Sequence, residues 1–278
     1  MTMKKATFQL PKEQARLISS ALMGGQDGIY FTFMSDMGTI ASLVPPPLEP
    51  AMPLVSGYIV NINKPAFSKP YREAMLGVYV RCKDTVGMYP VAFLLSGPGA
   101  EMAAYLGREK VGLSKKVCKS LDDIRIERDG DRIRGIVERH GVRLMDVSMK
   151  LGEYNNPMTG DIYSHPEPGK HTGGTSFYIL TGMEPTEQGQ SVFSRASLIS
   201  NVAEYTYRAW TPGKVSIRLQ SSQDDAWGEL PVLQNMGGAY AENDLEMKEM
   251  FVEKRLDVET VIPYLMSARF DTGTRIGG

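Results

Sequence analysis

Hydrophobic and polar residues alternate along much of this chain, and the alternation predicts strands before anything else. Ile124 and Ile126 exchange with Arg125 and Glu127, the period of two that a half-buried strand requires. Asp129-Gly130 is a tight-turn signal after this arm, so 124–152 reads as hairpin structure with a second turn signal at His140-Gly141. Aromatic and apolar runs predict strands at "GIYFTFMSD", "PLVSGYIVNINKPAF", "EAMLGVYVRCKD" and "GMYPVAFLLSG", separated by proline and glycine punctuation. "SKKVCKSL" reads as a short extended segment, and later strands are expected at "TSFYILTGM", "SLISNVAEYTYRAW" and "GKVSIRLQ".

Helical signals are fewer. "FQLPKEQARLISSALMGG" predicts a short helix from near Pro11 to Gly24-Gly25. "SDMGTIASLVPPPLEP" opens on the capping residues Ser35 and Asp36 and closes on three prolines. "GPGAEMAAYLGRE" predicts a helix that ends near Gly107. The tail "EMKEMFVEKRLDVETVIPYL" reads as helical in part. Many hairpin-linked strands with a few short helices give an α+β class built mainly on antiparallel sheet. Closure of that sheet into a barrel or cone would remove its exposed edges. No repeat, low-complexity segment or linker divides the chain, so residues 1–278 are expected to form one domain.

Composition narrows the function classes. The 31 basic and 32 acidic residues leave a net charge of -1, without the basic excess of a nucleic-acid surface. No apolar run reaches the length of a membrane span. The basic N-terminus lacks the apolar core of a signal peptide. Two cysteines, Cys82 and Cys118, argue against a disulfide framework and for a reducing cytoplasm.

Candidate chemistry centres on "GREKVGLSKKV", residues 107–117. The histidines His140, His165 and His171 fall on turn and loop signals, lack ligand spacing and have no CxxC companion, so they read as solvated rather than metal-bound. "PGKHTGGTS" lacks the spacing of a phosphate loop. The adjacent Lys115 and Lys116 offer more. A lysine attacks a carbonyl only when neutral, and its reference pKa is about 10.4. Burial and a neighbouring positive charge both lower it. The protonated imine that follows is an electron sink for a breaking bond to carboxylate or hydrogen. In an extended segment the two side chains point to opposite faces, so only one enters a given pocket.

The order of four stretches resembles the acetoacetate decarboxylase family. "SDMGTIASLVPPPLEP" is similar to its early helix and Val-Pro turn, and "PYREA" to its Tyr-x-Glu element. "GREKVGLSKKV" is similar to its Gly-Arg-Glu and Lys-Lys segment, and "AWTPGKVSIRLQ" with "ELPVLQ" to its late strand and Leu-Pro-Val element. The resemblance implies a Schiff-base role for Lys115, a modulating role for Lys116, and a proton-moving or positioning role for Glu73. It implies that Tyr71 lines a substrate pocket, together with Tyr58, which stands in "SGYIVNI" close to where the family carries a further pocket glutamate. An arginine that the family carries before its first aromatic strand is missing; Gln26 or Asp27 stands near its place in "GGQDGIYFTF". By resemblance, then, the chain is expected to be a cofactor-free lyase of a small-molecule keto acid, decarboxylating a β-keto acid such as acetoacetate, in a homo-oligomer. A pyruvate aldolase-dehydratase using the same lysine and a non-catalytic small-molecule binder are the alternatives.

Overall fold

The computed structural model describes residues 8–9, 21–163 and 167–274. Its strands are β1 Leu22–Met34, β2 Glu49–Pro65, β3 Tyr71–Cys82, β4 Thr85–Ser96, β5 Lys115–Val117, β6 Ile124–Asp129, β7 Arg132–Arg139, β8 Val142–Leu151, β9 Gly169–Pro185, β10 Ser191–Leu219 and β11 Gln234–Leu256. The helices are short: α1 Met37–Leu43, α2 Ala100–Leu106, α3 Thr159–Tyr163, α4 Val258–Val261 and α5 Pro263–Arg269. A π-helical turn, Gly107–Val111, continues α2.

The described strands join one sheet in the order β11-β1-β2-β3-β4-β9-β10-β8-β7-β6, with β5 attached to β4. A further pairing of β10 with β11 brings the order back to its start. The sheet is thus partly ringed, and β8, β7 and β6 extend from the far half of β10. Pairing is antiparallel except where β4 meets β5 and β9. This is the α+β architecture that the alternation predicts.

Period-two patterning sorts the core into two clusters. On β3, Ala74, Leu76 and Val78 join Ile29, Phe31, Ile59 and Leu94 in the first. Tyr71 and Met75, on the opposite face, join Val60, Ile62, Phe93 and Leu95 in the second. α2 covers this second cluster with Ala100, Ala103 and Ala104, whose small side chains permit a close approach to the sheet.

Three elements differ from the pattern-based expectation. Residues 10–20 of the expected first helix lie outside the described residues, but Leu22–Gly25 belong to β1. Gly24 and Gly25 serve an irregularity in that strand rather than a helix end. A Cβ on Gly24 would lie 2.9 Å from the Lys64 carbonyl oxygen, and Gly25 has φ +63°. The two late runs around Trp210 fuse through Pro212-Gly213 into the single strand β10. Near this point β10 changes partner from β9 to β8. The tail is strand up to Leu256, and only then helical. The His140-Gly141 signal is met: both residues have positive φ, 51° and 79°, as a two-residue hairpin turn requires. Among the described residues no helix is long and apolar enough to cross a membrane. Cys82 and Cys118 are buried and free.

Candidate active site

β5 lies parallel to β4, with Lys115 beside Phe93 and Lys116 beside Leu94. Neighbouring residues of a strand face opposite ways, and the two lysines accordingly enter different surroundings. Lys115 points into the second apolar cluster. Its Nζ donates to Glu73 Oε2 at 2.6 Å and stands 5.2 Å from the centroid of the Phe93 ring. The lysine and glutamate side chains are only 5% and 2% exposed, so the ion pair is almost fully desolvated.

The register of β2 on β3 completes this group. Glu73 pairs with Val60, and Met75 with Tyr58, which sets Tyr58 diagonally across from Glu73 on the same face. The Tyr58 hydroxyl donates to Glu73 Oε1 at 2.6 Å. Burial, and after it the Glu73 charge, pushes the Tyr58 phenol well above its ordinary value. It therefore stays a proton donor. Each Glu73 oxygen is matched by one donor, the amine or the phenol.

These three residues line a cavity of about 130 Å³. Its remaining wall is largely apolar, with Met23, Phe67, Met75, Met88, Leu245 and Met247 among its residues. Across from the lysine, β9 and β10 contribute Ser176, Tyr178, Asn201 and Tyr205. Burial raises both phenols, that of Tyr205 to about 12. The cations in the lining are Lys110 and Lys115; among the described residues no arginine joins them. The π-helical turn presses directly on the lysine stem. A Cβ on Gly107 would lie 2.9 Å from Lys115 Cδ and 3.0 Å from its Cε, so only glycine leaves the stem its present path.

Lys116 stands apart from this cavity. Its Nζ donates to the Asp224 carbonyl and pairs with Asp225 Oδ1 at 3.2 Å and Asp271 Oδ1 at 3.3 Å. Arg139 closes the group, reaching Asp225 at 2.9 Å and Asp271 at 2.7 Å. A larger cavity of about 550 Å³ lies on this side, with Lys116 and Asp225 in its wall. Their charges are matched by one another.

Of the other expected pocket residues, Tyr71 shares the face of Glu73 but lies outside the cavity lining. Its buried hydroxyl has no hydrogen-bond partner among the described residues, and burial with the Glu73 charge raises its phenol. Gln26 also stands back from the cavity. It accepts from the Tyr30 hydroxyl at 3.0 Å, and the Tyr30 ring lies 5.8 Å from that of Tyr58. Asp27 is held by Asn61 and Asn63. His171 lies in β9, not in a loop, with Nε2 against the Glu167 carbonyl; His165 lies outside the described residues. His140, Asp224 and Asp271 bring ligand atoms within 4.8 Å of one another, but Asp271 is already paired with Arg139 and Lys116. Sequence reasoning missed Phe93, Gly107, Tyr178 and Tyr205. Of these, only the Tyr205-x-Tyr207 alternation carried a local signal.

The profile of the family described as acetoacetate decarboxylase matches residues 7–256. A CLA biosynthesis isomerase of Lactiplantibacillus plantarum is 36% identical over 259 residues, spanning 91% of this chain and 90% of that protein. Among solved structures, an acetoacetate decarboxylase superposes with a TM-score of 0.70 at 17% identity, covering 90% of this chain and 96% of its own. The enduracididine biosynthesis enzyme MppR, complexed with pyruvate, superposes with a TM-score of 0.64 at 11% identity, covering 87% and 94%. At such identities these two structures establish a shared fold and nothing about the reaction.

Proposed function

This chain belongs to the acetoacetate decarboxylase family, and from that premise we propose that it is a Schiff-base enzyme that moves a carbon–carbon double bond beside a ketone. The observation that carries this reading is the buried Lys115–Glu73–Tyr58 chain, with both contacts at 2.6 Å, opening on an apolar cavity. The 2.6 Å contact offers a path for Lys115 to pass a proton to Glu73. The free amine then adds to the carbonyl carbon, and Glu73 gives that proton to the departing hydroxyl, so that loss of water leaves an iminium ion and restores the carboxylate. That cation acidifies the neighbouring carbon, from which Glu73 takes a proton as general base. With a double bond one carbon further out, the electrons spread over a dienamine. Return of the proton to the far end moves the double bond into conjugation. Water then releases the ketone and restores the amine. No atom is gained or lost.

Two features favour isomerisation over the β-keto acid decarboxylation that the sequence resemblance implies. The relative at 36% identity over nine-tenths of both chains is named an isomerase. Among the described residues the lining also holds no guanidinium to recognise a carboxylate next to the ketone, whereas its methionines and aromatics suit a substrate with apolar arms. Decarboxylation is retained as the second reading because the family's own description favours it. Loss of carbon dioxide would generate an enamine at the same lysine. A merely binding role leaves a buried amine–carboxylate pair without a purpose.

Borohydride reduction in the presence of a β,γ-unsaturated ketone, followed by peptide mass mapping, tests the reading. A reduced adduct on Lys115 and growth of conjugated-enone absorbance are expected. In heavy water, deuterium should enter the carbon that receives the proton. Turnover without any adduct on Lys115 would refute the imine. Carbon dioxide release from acetoacetate, with no double-bond migration, would select decarboxylation.

A further inference from the structure

We infer that Arg269, on the C-terminal helix, is a positioning residue that aims Lys115 at its partner. The inference rests on the imine reading above. Arg269 ends α5, beyond the 7–256 span of the family match. Its side chain is buried, with 6% of the residue exposed, and among the described residues no carboxylate forms an ion pair with it. One guanidinium nitrogen, Nη2, donates to the Gly112 carbonyl at 2.7 Å and to the Ile179 carbonyl at 3.0 Å. Nη1 donates to Thr181 Oγ1 at 2.7 Å. Arg108, in the π-helical turn, lies over the adjacent Phe270 ring at 4.8 Å. Burial, with the Arg108 charge adding to it, pulls the Arg269 guanidinium down to about 10.

A cation held in such a place must satisfy something the fold cannot otherwise satisfy. Gly112 and Ile179 supply the reason. Gly112 has φ +88°, and a Cβ there would lie 2.3 Å from the Ile179 carbonyl oxygen. The end of the π-helical turn is therefore pressed flat on β9, bringing two carbonyl oxygens together. Their dipoles repel, and one Arg269 nitrogen bridges both.

Backbone bonds carry this staple to Lys115. The Gly112 and Leu113 amides donate to the Gly107 carbonyl at 3.1 Å, and the Lys115 amide donates to the Leu113 carbonyl at 3.0 Å. Gly107 is the residue whose missing Cβ gives the lysine stem its path. On β9 the staple grips Ile179, next to Tyr178 in the cavity wall. Arg269 thus ties the turn that begins at Gly107, against which the Lys115 stem rests, to the strand that carries Tyr178 into the cavity wall.

The test compares Arg269→Met and Arg269→Lys with the full-length wild type. Wild-type trapping on Lys115 first establishes the imine, so its absence refutes the reading of function rather than the staple. Given trapping, Arg269→Met should slow adduct formation by about 10²-fold, the loss expected from a misplacement of about 1 Å. Arg269→Lys, which keeps the charge but lacks the fork that reaches Thr181 Oγ1 while one nitrogen bridges both carbonyls, should fall between. Affinity for the matching secondary alcohol, which cannot form an imine, should stay within about two-fold. A folded Arg269→Met protein that traps at the wild-type rate overturns the inference, as does equal loss of trapping and alcohol binding. Should Arg269→Met not fold, hydrogen exchange of the wild type decides. Segments 112–117 and 263–270 are expected to open together, and independent opening overturns the inference.

Discussion

The two faces of β5 carry the same side chain at nearly the same burial, yet they are built for different ends. On one face Lys115 meets a single carboxylate, which a phenol also engages, at the edge of an apolar cavity. On the other, Lys116 and Arg139 face Asp225 and Asp271 in a group whose two cations meet two carboxylates. There each cation pairs with both carboxylates, so no member can change its charge without disturbing the rest. The second face is consequently suited to holding structure. The first keeps one amine and one carboxylate where a ligand can reach them, and proton transfer between them changes the state of both. Chemistry is thus assigned by the company each lysine keeps and not by adjacency. The Lys116 charge is matched locally, so it is a weak lever on Lys115.

Substitution of each lysine breaks this comparison in opposite directions. Lys115→Ala is expected to lower turnover by at least about 10³-fold, the scale of removing a covalent nucleophile, with the circular dichroism of the folded protein retained. Appreciable turnover in that variant would contradict the assignment. Glu73→Gln keeps the shape of the carboxylate but cannot take a proton. Turnover should fall about 10²–10⁴-fold, and deuterium exchange at the carbon beside the ketone should fall with it. Exchange at the wild-type rate would move the base to another residue.

The contrast between the faces was half legible in the sequence. Extended geometry alone required Lys115 and Lys116 to diverge, and the Tyr-x-Glu spacing of "PYREA" puts Tyr71 and Glu73 on one face of a strand. What each lysine would meet was not legible. Glu73 is 42 residues from Lys115, Asp225 is 109 from Lys116, and Arg269 is 157 from Gly112. No local period encodes contacts at such separations. Glycines were the other weak point. Gly24-Gly25 has the composition of a helix stop but serves an irregular strand, because both uses need the same freedom from a Cβ. The requirement at Gly107 comes from a side chain of another element and is visible only in three dimensions. Tyr71 and Gln26 were expected in the cavity from facing direction and alignment alone. Neither criterion measures how deep a side chain sits.

Lys116→Ala sharpens the comparison from the structural side. It strips Asp225 and Asp271 of one cation, and a loss of about 3–5 kcal/mol is expected by denaturant unfolding. Turnover of the remaining folded protein should fall far less than for Lys115→Ala. A catalytic loss matching that of Lys115→Ala, at unchanged stability, would mean that the two faces are coupled after all.

The smallest effect concerns Asp271, the more exposed carboxylate of the Lys116 group. Its hydrogen bond from Arg139, opposed by burial and supported by the Lys116 charge, holds it below the ordinary carboxylate range. A carboxyl whose folded value is depressed stabilises the protein above its unfolded value, about 3.9. That contribution is lost as pH falls through the lower folded value. Asp271→Asn should therefore cost up to about 1 kcal/mol at neutral pH, given the partial exposure of the pair. Its deficit relative to the wild type should hold steady down to about pH 5 and close below about pH 4. Urea titrations of both proteins across that range provide the measurement. A deficit that persists in acid would assign the loss to packing of the C-terminal segment, leaving Arg139 and Lys116 balanced by Asp225 alone.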